Sequence, residues 1–113
     1  MEADQLTHSF ATHAILHHRH SLEGDWKKAN EQIEIINSLY ERIKKAQARE
    51  KLLNLTDSTH LEVAALAATY SMTYNPDKCL AKMRELELLN IPHISTAAKY
   101  AIQNWKNKEW FID

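Results

Sequence analysis

The residues best suited to chemistry in this sequence are its histidines. Five of the seven, His8, His13, His17, His18 and His20, fall within a single run of thirteen residues. His13, His17 and His20 are spaced four and three apart, which places them on one flank of an α-helix. Neutral imidazoles at that spacing can hold zinc, nickel or copper. The plainer reading is that the three border an apolar face begun by Leu6 and Phe10 and are half-buried there. No carboxylate shares their flank, and the chain has no His-Glu-x-x-His motif. Five imidazoles with ordinary pKa values near ~6.5 would also change the charge of the segment between about pH 5 and 7.

Cys79 is the single cysteine, so neither an internal disulfide nor a multi-cysteine zinc site can form. It falls in the first turn of an expected helix beside Lys78 and Lys82, a setting that favours a thiolate. No base is tied to it by sequence, and a buried structural thiol is the simpler expectation. Arg42, Lys44, Lys45, Arg49 and Lys51 form a basic run broken by Glu41 and Glu50. Such a run can meet phosphates, but the net charge is only −1, and a solvated helix face accounts for it. With one glycine the chain cannot build a phosphate-cradling loop, and no Ser-His-Asp pattern is present. The expectation is a protein without catalytic residues or a cofactor.

The segments that would position these residues read as helices. A chain of 113 residues with 44% hydrophobic and 26% charged content is one domain's worth. One glycine and two prolines leave few tight turns, which disfavours hairpin strands. The central stretch is Asp25 to Glu50. Trp26, Ala29, Ile33, Ile36, Tyr40 and Ile43 recur at steps of three and four and predict one buried stripe, widened by Ile35, Leu39 and Ala46. A preceding helix over 4–22 carries Leu6, Phe10, Ala14 and Leu22 inward. Gly24 ends it and Asp25 caps the next, so the two form an antiparallel hairpin over 4–50.

Residues 50–55 are either the frayed end of the second helix or a short separate one. Thr59 and Glu62 read as a capping box for an alanine-rich helix over 58–73. Asn75-Pro76-Asp77 starts another helix, to about Leu89, since asparagine caps and proline suits the first helical position. Asn90-Ile91-Pro92-His93 breaks it, and a last helix begins near Ser95. The closing Trp110, Phe111 and Ile112 are costly to expose and are expected to dock on the body or on a partner. The prediction is an all-α single domain, 1–113, of about five helices in antiparallel hairpins.

The segment from Leu52 to Gln103, with its Leu52-Leu53 pair, Asp57, Val63 to Ala68 and the Asn75-Pro76 corner, resembles a small HEAT-like family of bacterial helical-repeat proteins. Members of that family begin with a hairpin like the one over 8–36 here. The chain departs from the pattern in its His-rich first helix and at Ala68 and Thr69. The resemblance implies HEAT-like, α-solenoid-type stacking of the helices over 58–107 and brings no catalytic residues with it. Proteins of this type occur beside secreted polymorphic toxins, so it also implies an immunity role, in which the chain neutralises a cognate toxin by binding it.

The functional expectation is therefore a non-catalytic protein-binding module. Asp25, Glu31 and Glu34, or Arg42, Lys45 and Arg49, would steer the encounter, and Trp110 would anchor an interface. A homodimeric or regulatory scaffold paired through the C-terminal aromatics is the second reading, and a metal-binding bundle using His13, His17 and His20 the third. Neither nucleic acid nor membrane is expected as a partner. No apolar run approaches the ~18 residues of a membrane span, the N-terminal segment lacks a signal peptide's plan, and the cytoplasm is the expected compartment.

Overall fold

The computed structural model describes residues 2–113 and is all-helical, with no strand among the described residues. Six α-helices follow in order: α1 Glu2–Leu22, α2 Trp26–Lys45, α3 Arg49–Asn54, α4 Leu61–Ser71, α5 Pro76–Leu88 and α6 Ile94–Lys106. A single 3₁₀ turn, Leu55–Asp57, joins α3 to α4. The count is six rather than five because 49–54 is a helix of its own. Gln47 takes the left-handed conformation (φ 55°) after α2, and the N–H of Ala48 closes back on the carbonyl of Ile43 at 3.0 Å. That bond ends α2 at Lys45, five residues short of Glu50.

α1 and α2 form the most extensive helix pair, and α5 pairs with α6 in the second half. Gly24 at φ 75° turns the first hairpin, with the Asp25 N–H bonded to the carbonyl of His20 at 2.9 Å. The Asp25 side chain then accepts from the N–H of Lys28 at 3.1 Å. Asn75 caps α5 in the same way, accepting from Lys78 N–H at 3.1 Å, with Pro76 in the first turn. The Thr59–Glu62 capping box does not form. His60 is the residue before α4 and its side chain caps nothing. Ser58 Oγ takes the His60 N–H at 3.1 Å, and Glu62 turns instead toward the His60 ring at 3.8 Å.

The core has two centres. Phe10, Ile36, Tyr40, Ile43, Leu52 and Tyr70 gather where α1, α2, α3 and α4 meet. The rings of Phe10 and Tyr40 both meet Tyr70 edge-on, at 5.6 and 5.1 Å. Leu53, Met72, Cys79, Met83, Leu86 and Ala98 gather around α5 and α6. Each large side chain fully buried here contributes about 1.5–3 kcal/mol. Ser95 ties the second centre together: its hydroxyl donates to the carbonyl of Leu86 at 2.7 Å and accepts from Ile91 N–H at 2.8 Å.

The stripe expected on α2 is buried at Ala29, Ile36, Leu39, Tyr40 and Ile43 but not at its first member. Trp26 is 59% exposed. Ile35 and Ala46 also face outward, as does Leu22 at the end of α1. Trp26 occupies the first helical position, where no preceding turn of α2 exists for its ring to pack against. Residues 107–113 are not helical. Trp110 rests on Trp105 at 6.0 Å between ring centroids, and Ile112 reaches the first core centre, while Phe111 stays 79% exposed. No helix of the described residues is long and apolar enough to cross a membrane.

Candidate functional site

A groove of about 300 Å³ opens where four helices converge, and each helix presents one face to it. α1 supplies Ala14, His17, His18 and Ser21, and α2 supplies Trp26, Ala29 and Asn30. α4 supplies Glu62, Ala65, Leu66 and Thr69, and the start of α6 supplies His93, Ile94 and Ala97. Every set follows the three- and four-residue spacing of a helix face. One alanine stands in each set. Where larger side chains would close a four-helix junction, Ala14, Ala29, Ala65 and Ala97 leave it hollow.

Trp26 and His93 form the mouth, their rings 6.2 Å apart and inclined at 66°. His93 has a φ of 66° and leads directly into α6, so its ring position is set by the Pro92–His93 corner. His17 lies half-buried in the wall. Burial holds its imidazole below the ordinary histidine pKa, and neighbouring His18 and His20 add to the effect. Its resting form at neutral pH is therefore uncharged. The one carboxylate on the lining is Glu62. The site is thus an apolar cleft with an indole at its rim and, in its wall, the His17 imidazole that burial keeps uncharged. Such a cleft has room for an apolar side chain.

The three flank histidines have separate surroundings. His13 Nδ1 lies 2.6 Å from Gln32 Oε1, which fixes the ring against α2. His17 faces the groove, and His20 Nδ1 is buried without a hydrogen-bond partner. Among the described residues no three His, Cys, Asp or Glu side chains converge on a common metal position. Cys79 is fully buried, and burial pushes its thiol up to about 11, against the lowering effect of Lys78. The helix start that favours a thiolate is outweighed by loss of water around the sulfur.

The expected partner-binding residues divide into separate places. Glu31, Glu34, Arg42 and Lys45 are all exposed and, at 100° per residue, share the outward ridge of α2. The acidic pair stands toward Trp26 and the basic pair toward the far end. Asp25 is engaged as the cap of α2. Arg49 is not on the ridge. Its Nη2 donates to Tyr40 Oη at 2.9 Å and to the Asp113 carbonyl, and its guanidinium lies over the Tyr40 and Tyr74 rings at 5.9 and 5.2 Å. Trp110 is half-buried between Trp105 and Phe111.

Periodicity placed Trp26 in the core, Glu62 was read only as half of a capping box and His93 only as part of a helix break, so none of the three was expected at a binding site. The available signal was positional: a tryptophan directly after a capping aspartate, and a histidine between Pro92 and the first residue of α6. Comparisons with protein-family models, with curated proteins and with solved structures find no match to this chain.

Proposed function

We propose that this chain is a non-catalytic protein-binding module that seats an apolar side chain of a protein partner in the groove behind Trp26 and His93. The observation that carries the reading is the exposed indole at the rim of an alanine-lined cleft. A large aromatic held open to solvent beside an apolar recess has the character of an interface anchor. Glu31 and Glu34, on the same end of α2, would set the orientation of a partner whose facing surface is basic.

The concrete form of this reading is an intracellular immunity protein that covers the active site of a cognate toxin. The HEAT-like resemblance of residues 52–103 supports it, with α4, α5 and α6 as stacked repeat helices. The test is affinity capture from the host lysate with the wild-type chain and with Trp26→Ala in parallel. One stoichiometric protein retained by the wild type and lost with the variant supports the reading. If that protein is toxic when expressed alone and harmless with this chain, the immunity form is supported as well. Equal capture by both chains would contradict the groove as the binding site.

A further inference from the structure

Glu62 stands apart from the other carboxylates that take part in ion pairs among the described residues. Asp4, Asp25, Glu41, Asp57 and Glu85 each have a lysine nitrogen at 2.7–3.8 Å, and their side chains are 38–67% exposed. The Glu62 side chain is 22% exposed, and the basic group beside it is the His60 imidazole, with Nδ1 at 3.8 Å. Its place in the first turn of α4 gives it the favourable end of the helix dipole, a small compensation. A carboxylate so far withdrawn from water is otherwise costly without a cation against it. Glu62 also lines the groove behind Trp26 and His93, and no lysine or arginine stands among the lining residues. Burial keeps His17, in the same wall, uncharged. The groove therefore offers one negative charge and no fixed positive one.

The rest of the lining suits a long side chain with an apolar stem and a cationic tip. Ala14, Ala29, Ala65 and Ala97 form smooth apolar walls, and the indole of Trp26 stands exposed at the mouth. An indole face attracts cations. A guanidinium stacks on aromatic rings and pairs with a carboxylate through two parallel N–H bonds, which an ammonium cannot do. We propose that the groove receives an arginine side chain of the protein partner, its methylenes along the alanine walls and its guanidinium donating to the carboxylate of Glu62. This rests on the groove being the side-chain site proposed above, and it names the side chain. A leucine in the same place would cover the Glu62 carboxylate and leave it unpaired, at a cost that an arginine avoids.

Three small probes test this on the full chain: the Nα-acetyl N-methylamides of arginine, of citrulline and of leucine. Citrulline keeps the shape of arginine and lacks its charge, and leucine is apolar throughout. Nitrogen–proton correlation spectra at about pH 7.5, above the ordinary imidazole range, follow the Trp26 indole N–H and the groove amides. Trp26→Ala identifies the indole signal. The arginine probe is expected to shift these signals with an affinity in the millimolar range, about tenfold tighter than the citrulline probe. Glu62→Gln, its fold verified by circular dichroism, is expected to bind the arginine and citrulline probes alike. Citrulline or leucine binding in the groove as tightly as arginine overturns the arginine assignment and leaves the groove standing as an apolar site. An arginine preference that a folded Glu62→Gln retains overturns it as well. Groove signals unmoved by all three probes to about 50 mM overturn both the assignment and the groove reading beneath it. Should Glu62→Gln fail to fold, the ratio of arginine to citrulline affinity in the wild type decides.

Discussion

The ring of His93 meets the indole of Trp26 at 6.2 Å, joining the start of α6 to the start of α2. Each residue sits at the opening of its helix, so neither ring is covered by its own preceding turn. Their contact fixes the mouth of the groove without contributing to either core centre. Removal of the indole is therefore separable from loss of fold. Trp26→Ala is expected to change the unfolding free energy by under about 1 kcal/mol, the range of exposed aromatic pairs. Chemical denaturation of the variant and of a Trp26→Ala, His93→Ala pair checks it. A loss several times larger would place Trp26 in the core.

His17 gives the fold a dependence on pH with a definite sign. Its folded pKa lies below the unfolded value of 6.5, chiefly because it is half-buried. Above that value both states are neutral and nothing is lost. As pH falls below 6.5 and on through the folded pKa, the unfolded chain takes the proton first and stability declines. Thermal unfolding followed from pH 8 to 5 should show the midpoint falling over the acid part of that range. His17→Leu should reduce the slope, while His8→Ala, on an exposed position of α1, should leave it in place.

Cys79 is expected to be inert in the native state. It is fully buried, and its thiol is raised to about 11. A disulfide reagent at pH 8 should label it only at the rate at which the chain opens, with labelling becoming rapid in denaturant. Rapid labelling of the folded protein would show that α5 is open to solvent at its start.

Three helix ends close on a left-handed residue with the matching backbone bond: Gly24 after α1, Gln47 after α2 and Lys108 after α6. Only the first is glycine. Gln47→Gly and Lys108→Gly are each expected to stabilise the fold by roughly 0.5–1 kcal/mol, since the side chain at those positions opposes the observed φ. Equilibrium denaturation measures the gain. A loss at Gln47 would mean that its side chain makes a compensating contact.

The same helix ends show what was legible in the residues. Gly24-Asp25 and Asn75-Pro76 announce a stop and two starts by chemistry that acts locally, and the structure has all three. Gln47 and Lys108 announce nothing, because tertiary packing imposes a conformation their side chains disfavour. That is why α3 could be read either way from sequence. The Thr59–Glu62 box fails for a related reason: Ser58, one residue earlier, competes for the same turn and takes the N–H of His60.

The groove was hidden for a different cause. Periodicity marks which residues face a neighbour, and it does not tell whether the space between neighbours is filled. Ala64, Ala67 and Ala68 let α4 approach its neighbours and are fully buried, whereas Ala65 on the same helix lines an open cleft. Trp26 obeys the α2 period and is exposed all the same, since it opens α2 and has no preceding turn of that helix to pack against.

In the proposed function, the Trp26–His93 groove receives the partner. The measurement that bears on it most directly is a nitrogen–proton correlation spectrum of the labelled chain, recorded as the captured partner is titrated in. The Trp26 indole N–H and the amides lining the groove on α1, α2, α4 and the start of α6 are expected to shift or broaden first. Changes confined to Arg42 and Lys45 at the far end of α2, or to residues 105–113, with the Trp26 indole signal unmoved, would contradict it.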